Sequence, residues 1–104
     1  MFDSPIQRPA EEPPQQPRVS FPLGTMVATP GALALDQASV LEGLRRHARG
    51  DWGNLCAEDL EANDRALVEG ARLLSSYTSQ DGTKFWIITE ADRSATTVLL
   101  PDEY

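Results

Sequence analysis

The densest grouping of chemically capable side chains is Thr89-Glu90-Ala91-Asp92-Arg93-Ser94, with two carboxylates, a guanidinium and two hydroxyls in one short run. Arg93 could fork onto a carboxylate or phosphate with a planar geometry that lysine does not supply. Glu90 and Asp92 could begin a divalent-cation site, but a stable one needs more oxygen ligands than one turn provides. Asp92 and Ser94 also suit the plain work of a turn, which is to hydrogen-bond local backbone amides. The lone histidine, His47, is the other residue able to move protons near neutral pH. A cleft built from His47, Glu90, Asp92 and Arg93 would support a small enzyme or ligand-binding domain, provided that tertiary structure gathers residues so far apart in sequence. The competing expectation for His47 is a partly buried, hydrogen-bonded residue.

Other catalytic signatures fail in turn. The chain has no glycine-rich phosphate loop, no nucleophile elbow and no paired histidines for a metal. Cys56 is the single cysteine, so an internal disulfide and a Cys/His zinc cage are both ruled out. It reads as a small buried apolar residue. No cofactor or metal is expected. Trp52, between Asp51 and Gly53, reads either as a lid on the core or as an exposed interface anchor.

Charge sorts the partners. Nine Lys and Arg against 16 Asp and Glu leave a net −7, a field that repels phosphate backbones and attracts a basic partner, or one whose normal ligand is nucleic acid. Between Asp51 and Glu69 six acids meet the single base Arg65. Direct nucleic-acid binding is therefore disfavoured. No apolar run approaches the roughly 18 residues of a membrane span, and the start Met1-Phe2-Asp3-Ser4-Pro5 lacks the features of a secretory signal, so a cytoplasmic protein is expected.

These residues need a scaffold. A length of 104 residues and 40% hydrophobic content fit one domain. Six of the eight prolines fall in residues 1–22, where they deny the backbone helix and ladder bonds. That segment reads as a disordered Pro-rich arm, with Pro14-Gln15-Gln16-Pro17 spaced like a polyproline II ligand. Residues 23–104 read as a single α+β domain, with order beginning near Phe21. Thr25 to Ala28 reads as a strand, and Thr29-Pro30 starts a short helix to about Leu35. Ser39 opens a second helix through a capping box with Glu42, stopped by Gly50, with Val40, Leu41, Leu44 and Ala48 inward and His47 at the edge.

A third helix spans about Ala57 to Gly70. Cys56, Leu60, Asn63 and Leu67 point inward, Glu58, Glu61 and Glu69 point outward, and Glu61 is set to pair with Arg65. From Arg72 the period becomes alternating, giving three antiparallel strands over about 72–78, 84–90 and 95–100. The fold class expected is α+β, with two or three short helices on a mainly antiparallel three- to four-stranded sheet that ends in a β-meander. Phe85/Ile87 and Trp86/Ile88 make both faces of the middle strand apolar. The face without helices should then meet the Pro-rich arm, the first strand or another molecule.

Several runs together resemble a group of small proteins carried on plasmids and integrative conjugative elements of proteobacteria. They are Val27-Ala28-Thr29-Pro30-Gly31-Ala32-Leu33, Gly50-Asp51-Trp52-Gly53, Asn63, Leu73-Leu74-Ser75 and the stretch from Trp86 to Thr97. The resemblance covers most of residues 24–104 and brings no catalytic residues. It implies a mobile element in a bacterial cytoplasm, where small acidic proteins block restriction or CRISPR machinery by occupying nucleic-acid sites. The leading expectation is a non-enzymatic acidic module that binds a protein partner, with Asp51, Trp52, Glu58, Glu61, Glu90, Asp92 and Arg93 as candidate contacts. The alternatives are the cleft enzyme above and a homodimer formed through an edge strand or Trp52.

Overall fold

Alternation of apolar and polar residues after Gly70 builds the meander, and the three helices before it cover one of its faces. The computed structural model describes residues 21–104 and has the order β1 (Thr25–Ala28), α1 (Pro30–Leu33), α2 (Gln37–Ala48), α3 (Ala57–Glu69), β2 (Leu73–Thr78), β3 (Lys84–Thr89) and β4 (Ala95–Leu99), followed by a 3₁₀ turn at Pro101–Glu103. The sheet order is β1-β4-β3-β2. Strands β2, β3 and β4 are antiparallel neighbours, whereas β1 lies parallel to β4. This is the α+β architecture that the patterning predicts. Among the described residues no helix is long and apolar enough to cross a membrane.

The helices cover the face carrying Leu73, Ser75, Tyr77, Phe85, Ile87, Thr89, Thr96 and Val98, all of them buried. One apolar cluster joins Ala32, Tyr77, Phe85, Ile87 and Val98 under α1 and α2. A second joins Phe21, Trp52, Ala66 and Leu73 under α3. Phe21 therefore packs into the folded domain, at the position where order is expected to begin. The rest of the Pro-rich reading, Pro14 to Pro17 included, falls outside the described residues.

Local chemistry moves several boundaries. Asp36, not Ser39, caps α2: its carboxylate accepts the Ser39 amide at 2.8 Å, so the helix starts at Gln37 and no Ser39–Glu42 box forms. Helix α1 stops at Leu33, with Thr29 capping it as expected. The buried stripe of α2 runs through Gly43, His47 and Ala48, and Leu41 is half exposed. Gly43 suits that rotation, because a Cβ there would stand a tight 3.1 Å from the Phe85 ring and 3.2 Å from that of Tyr77, so a larger residue would make the rings give way by a few tenths of an ångström. Cys56 is exposed, contrary to the buried reading, since it precedes the first turn of α3 and does not join that helix's inward row. No ion pair joins Glu61 to Arg65 among the described residues.

The second sheet face is not covered by β1, which extends the sheet edge instead. Tyr104 lies across it, with its ring 5.8 Å from that of Trp86. Arg72 lies over the Tyr104 ring and bonds its hydroxyl at 2.6 Å.

Candidate functional site

His47 sits at the centre of the covered face with no solvent exposure. Its Nδ1 is 2.5 Å from Ser75 Oγ on β2, and its Nε2 is 2.8 Å from Thr89 Oγ1 on β3. Thr89 Oγ1 lies 2.7 Å from Thr96 Oγ1 on β4, which donates to the Leu23 carbonyl at 2.7 Å. A hydroxyl has one proton, so this terminal carbonyl fixes every direction along the chain. Thr96 donates to Leu23, Thr89 donates to Thr96, and His47 Nε2–H donates to Thr89. Nδ1 is left as the acceptor of the Ser75 hydroxyl. The imidazole is thus the neutral Nε2–H tautomer. Burial, followed by repulsion from the Arg93 guanidinium, pushes its pKa down to about 4.

The rings of Phe21 and Trp52 close over the imidazole at centroid distances of 5.4 and 5.5 Å. Trp52 is 2% exposed, and its indole N–H donates to Asp64 at 2.9 Å. It is therefore the core lid and not an exposed anchor.

The hairpin residues are occupied in place. The Arg93 guanidinium donates to the Ala71 carbonyl at 2.7 Å and the Glu90 carbonyl at 3.1 Å, reaches Ala66 O at the end of α3, and lies over the Phe21 ring. Its backbone has φ of 62°, the left-handed turn conformation. Asp92 accepts the Ser94 amide at 3.0 Å, and that bonding, together with the Ser94 hydroxyl, holds its carboxyl below the usual range. Glu90 meets Arg72 at 3.5 Å. Asp51 forms a two-pronged pair with Arg46 at 2.8 and 3.2 Å, which lowers its pKa.

The cleft of His47, Glu90, Asp92 and Arg93 is accordingly not formed. His47 lies beneath two aromatic rings, and the groove that includes Glu90 is lined besides by Arg72, Ile88, Thr97 and Tyr104, without the other three residues. Because Arg93 pins the hairpin to α3, Arg93→Ala is expected to lower stability by about 2 kcal/mol, the order of lost charge-assisted bonds at a helix C-terminus. Arg93→Lys should recover only part of it, since an ammonium can replace the single nitrogen Nη1 that serves Ala71 O and Glu90 O but has no second arm to reach Ala66 O, nor a planar face to lay over the Phe21 ring. Denaturant titration of the two variants measures this.

The acids of α3 behave differently. Glu58, Asp59, Glu61 and Glu69 are all exposed, and no hydrogen bond or ion pair engages their carboxylates among the described residues. At about 100° per residue Glu58, Glu61, Arg65 and Glu69 share the outward side of the helix. Val68 lies beside them, 86% exposed.

Asn63 is the residue whose work the sequence hides. Its side-chain amide donates to the Leu74 carbonyl at 2.5 Å and accepts the Leu74 amide at 3.1 Å, taking the place of a neighbouring strand. One step along β2, Ser76 donates to the Trp52 carbonyl and accepts from the Asn54 amide. Helix α3 and residues 52–54 thus close the outer edge of β2.

Compared with known proteins, the chain matches no family model, no curated sequence and no solved structure at a significant level.

Proposed function

We propose that this chain is a non-enzymatic, acidic interaction module of a mobile genetic element that works in the bacterial cytoplasm by binding a protein complex of host defence, of the restriction or CRISPR kind. The observation that carries this reading is the outer face of α3. Its carboxylates stand in solvent without a described partner, while each residue a catalytic cleft would need is buried or bonded to its own fold. A helix face on which exposed acids outnumber the one base, Arg65, is suited to a basic groove that normally holds phosphates, because its field accelerates encounter and its geometry is already set. The mobile-element setting comes from the sequence resemblance.

The contact set narrows to Glu58 and Glu61, joined by Asp59 and Glu69. Asp51, Trp52 and Arg93 serve the fold, Asp92 holds its turn, and Glu90 belongs to the opposite sheet face. The test is the association rate of the full chain with a purified DNA-binding restriction complex, measured against salt and in competition with duplex DNA. Glu58→Lys/Glu61→Lys/Glu69→Lys should slow association at least tenfold and flatten its salt dependence, with only a small change in Tm, since all three side chains are exposed and the cation set in the first turn of α3 is offset by the one set at its last residue. Association that is insensitive to both salt and the triple reversal would end this reading.

A further inference from the structure

The two sheet edges are treated oppositely. The β2 edge is closed by Asn63 and residues 52–54. The β1 edge has no such cover among the described residues, and all four residues of Thr25–Ala28 are exposed. Thr25 N bonds Ser94 O and Thr29 N bonds Val98 O, so the odd-numbered residues turn their backbone groups toward β4. The amides and carbonyls of Met26 and Ala28 therefore face outward, in a strand that carries none of the charges, prolines or bulges that usually guard an edge.

We propose that this edge pairs with the β1 edge of a second copy of the chain, antiparallel about a twofold axis at Val27. Only an extended backbone can use two outward amides and two outward carbonyls spaced two residues apart. In the self-paired register Met26 of one copy stands opposite Ala28 of the other, twice by symmetry, and four backbone bonds form. Ala28 is small, and on its side of the sheet runs a groove of about 330 Å³ lined by Ala32, Leu33, Leu35 and Val40 with it. The Met26 side chain of the other copy, long, flexible and half exposed when alone, is shaped to fill that groove.

Charge selects the same surface. The described part of the chain is acidic, so two copies repel generally, whereas β1 and the groove lining contain no charged residue. Residues 1–20 are a poorer occupant, because five prolines divide them into proline-free runs of four residues or fewer and each proline withdraws a donor.

The inference is independent of the acidic-face reading, which requires no dimer. It is tested by light scattering and sedimentation of the full chain over about a hundredfold range of concentration. Wild type should pass from one chain mass to twice that mass, and added salt should favour the heavier species by screening repulsion. Val27 is 44% exposed, so Val27→Lys and Val27→Glu leave the fold intact and set like charges against each other across the axis. Each variant alone should weaken dimerisation at least tenfold, although Val27→Lys reduces the overall acidity, and an equimolar mixture of the two should restore the dimer. A monomer at every concentration, or a Val27→Lys variant that dimerises like wild type, overturns the proposal.

Discussion

Acidification from about pH 6.5 to pH 4 will remove about 3 kcal/mol of folding stability, and His47→Gln will lose most of that dependence. The sign follows from proton counting. In the unfolded chain His47 titrates near 6.5, but in the folded protein only near 4, because the imidazolium would be buried. Between those values the unfolded state binds a proton that the folded state refuses, so stability is complete above the upper pKa and falls at roughly 1.4 kcal/mol per pH unit below it. The carboxylates with lowered pKa, among them Asp36, Asp51 and Asp81, act in the same direction but chiefly below their own unfolded values, near pH 4. The upper part of the window therefore isolates the histidine.

At neutral pH His47→Leu should itself cost about 3 kcal/mol. It deprives the Ser75 hydroxyl of its acceptor and the Thr89 hydroxyl of its donor inside a closed core. Denaturant unfolding of wild type, His47→Gln and His47→Leu at several pH values measures both effects. A slope in the wild type that persists unchanged in His47→Gln would place the titrating group elsewhere.

Asn63→Leu should cost about 3 kcal/mol or more and make the protein prone to self-association. Leucine has the branching and heavy-atom count of asparagine but leaves the part-buried Leu74 amide and carbonyl without these partners, at about 1–3 kcal/mol each. It also reopens a strand edge, which invites pairing with other chains. Asn63→Asp should also be destabilising, since a carboxylate still accepts the Leu74 amide but sets a nearly buried negative oxygen against the Leu74 carbonyl. Thermal unfolding with light scattering tests this: wild type should melt above both variants. Equal Tm values across the three would mean that the β2 edge does not depend on this amide.

Much of the scaffold could be read from spacing alone. The meander followed from alternation between Leu73 and Leu99, β1 from Thr25 to Ala28, and the end of α3 from Gly70, which takes the left-handed conformation with φ of 77°. These signals are local, and local propensities agree with the fold there. The candidate site was less legible, because its determinants are contacts between residues distant in the chain. His47 meets Ser75, Thr89 and, through Thr89, Thr96, partners on three strands that no periodicity in α2 identifies.

Helical spacing puts Leu41 on the inward row of α2, yet it is half exposed, while Gly43 packs tightly against the Phe85 ring. Asn63 appeared on the inward row of its helix, but nothing in a single sequence says that an amide will stand in for a strand. Arg93 had the composition of a contact residue. Its role as a pin emerged only when α3 and the chain from Phe21 were brought against the hairpin.

On the proposed function the chain acts through the exposed acids of α3, while His47 only maintains the fold. The most direct test is protection of an incoming unmodified plasmid in a restriction-proficient bacterial host expressing the full chain, with variants compared at equal folded concentration. Wild type and His47→Gln should protect alike, and Glu58→Lys/Glu61→Lys/Glu69→Lys should not protect. Protection that survives the triple reversal but disappears with His47→Gln would contradict the account.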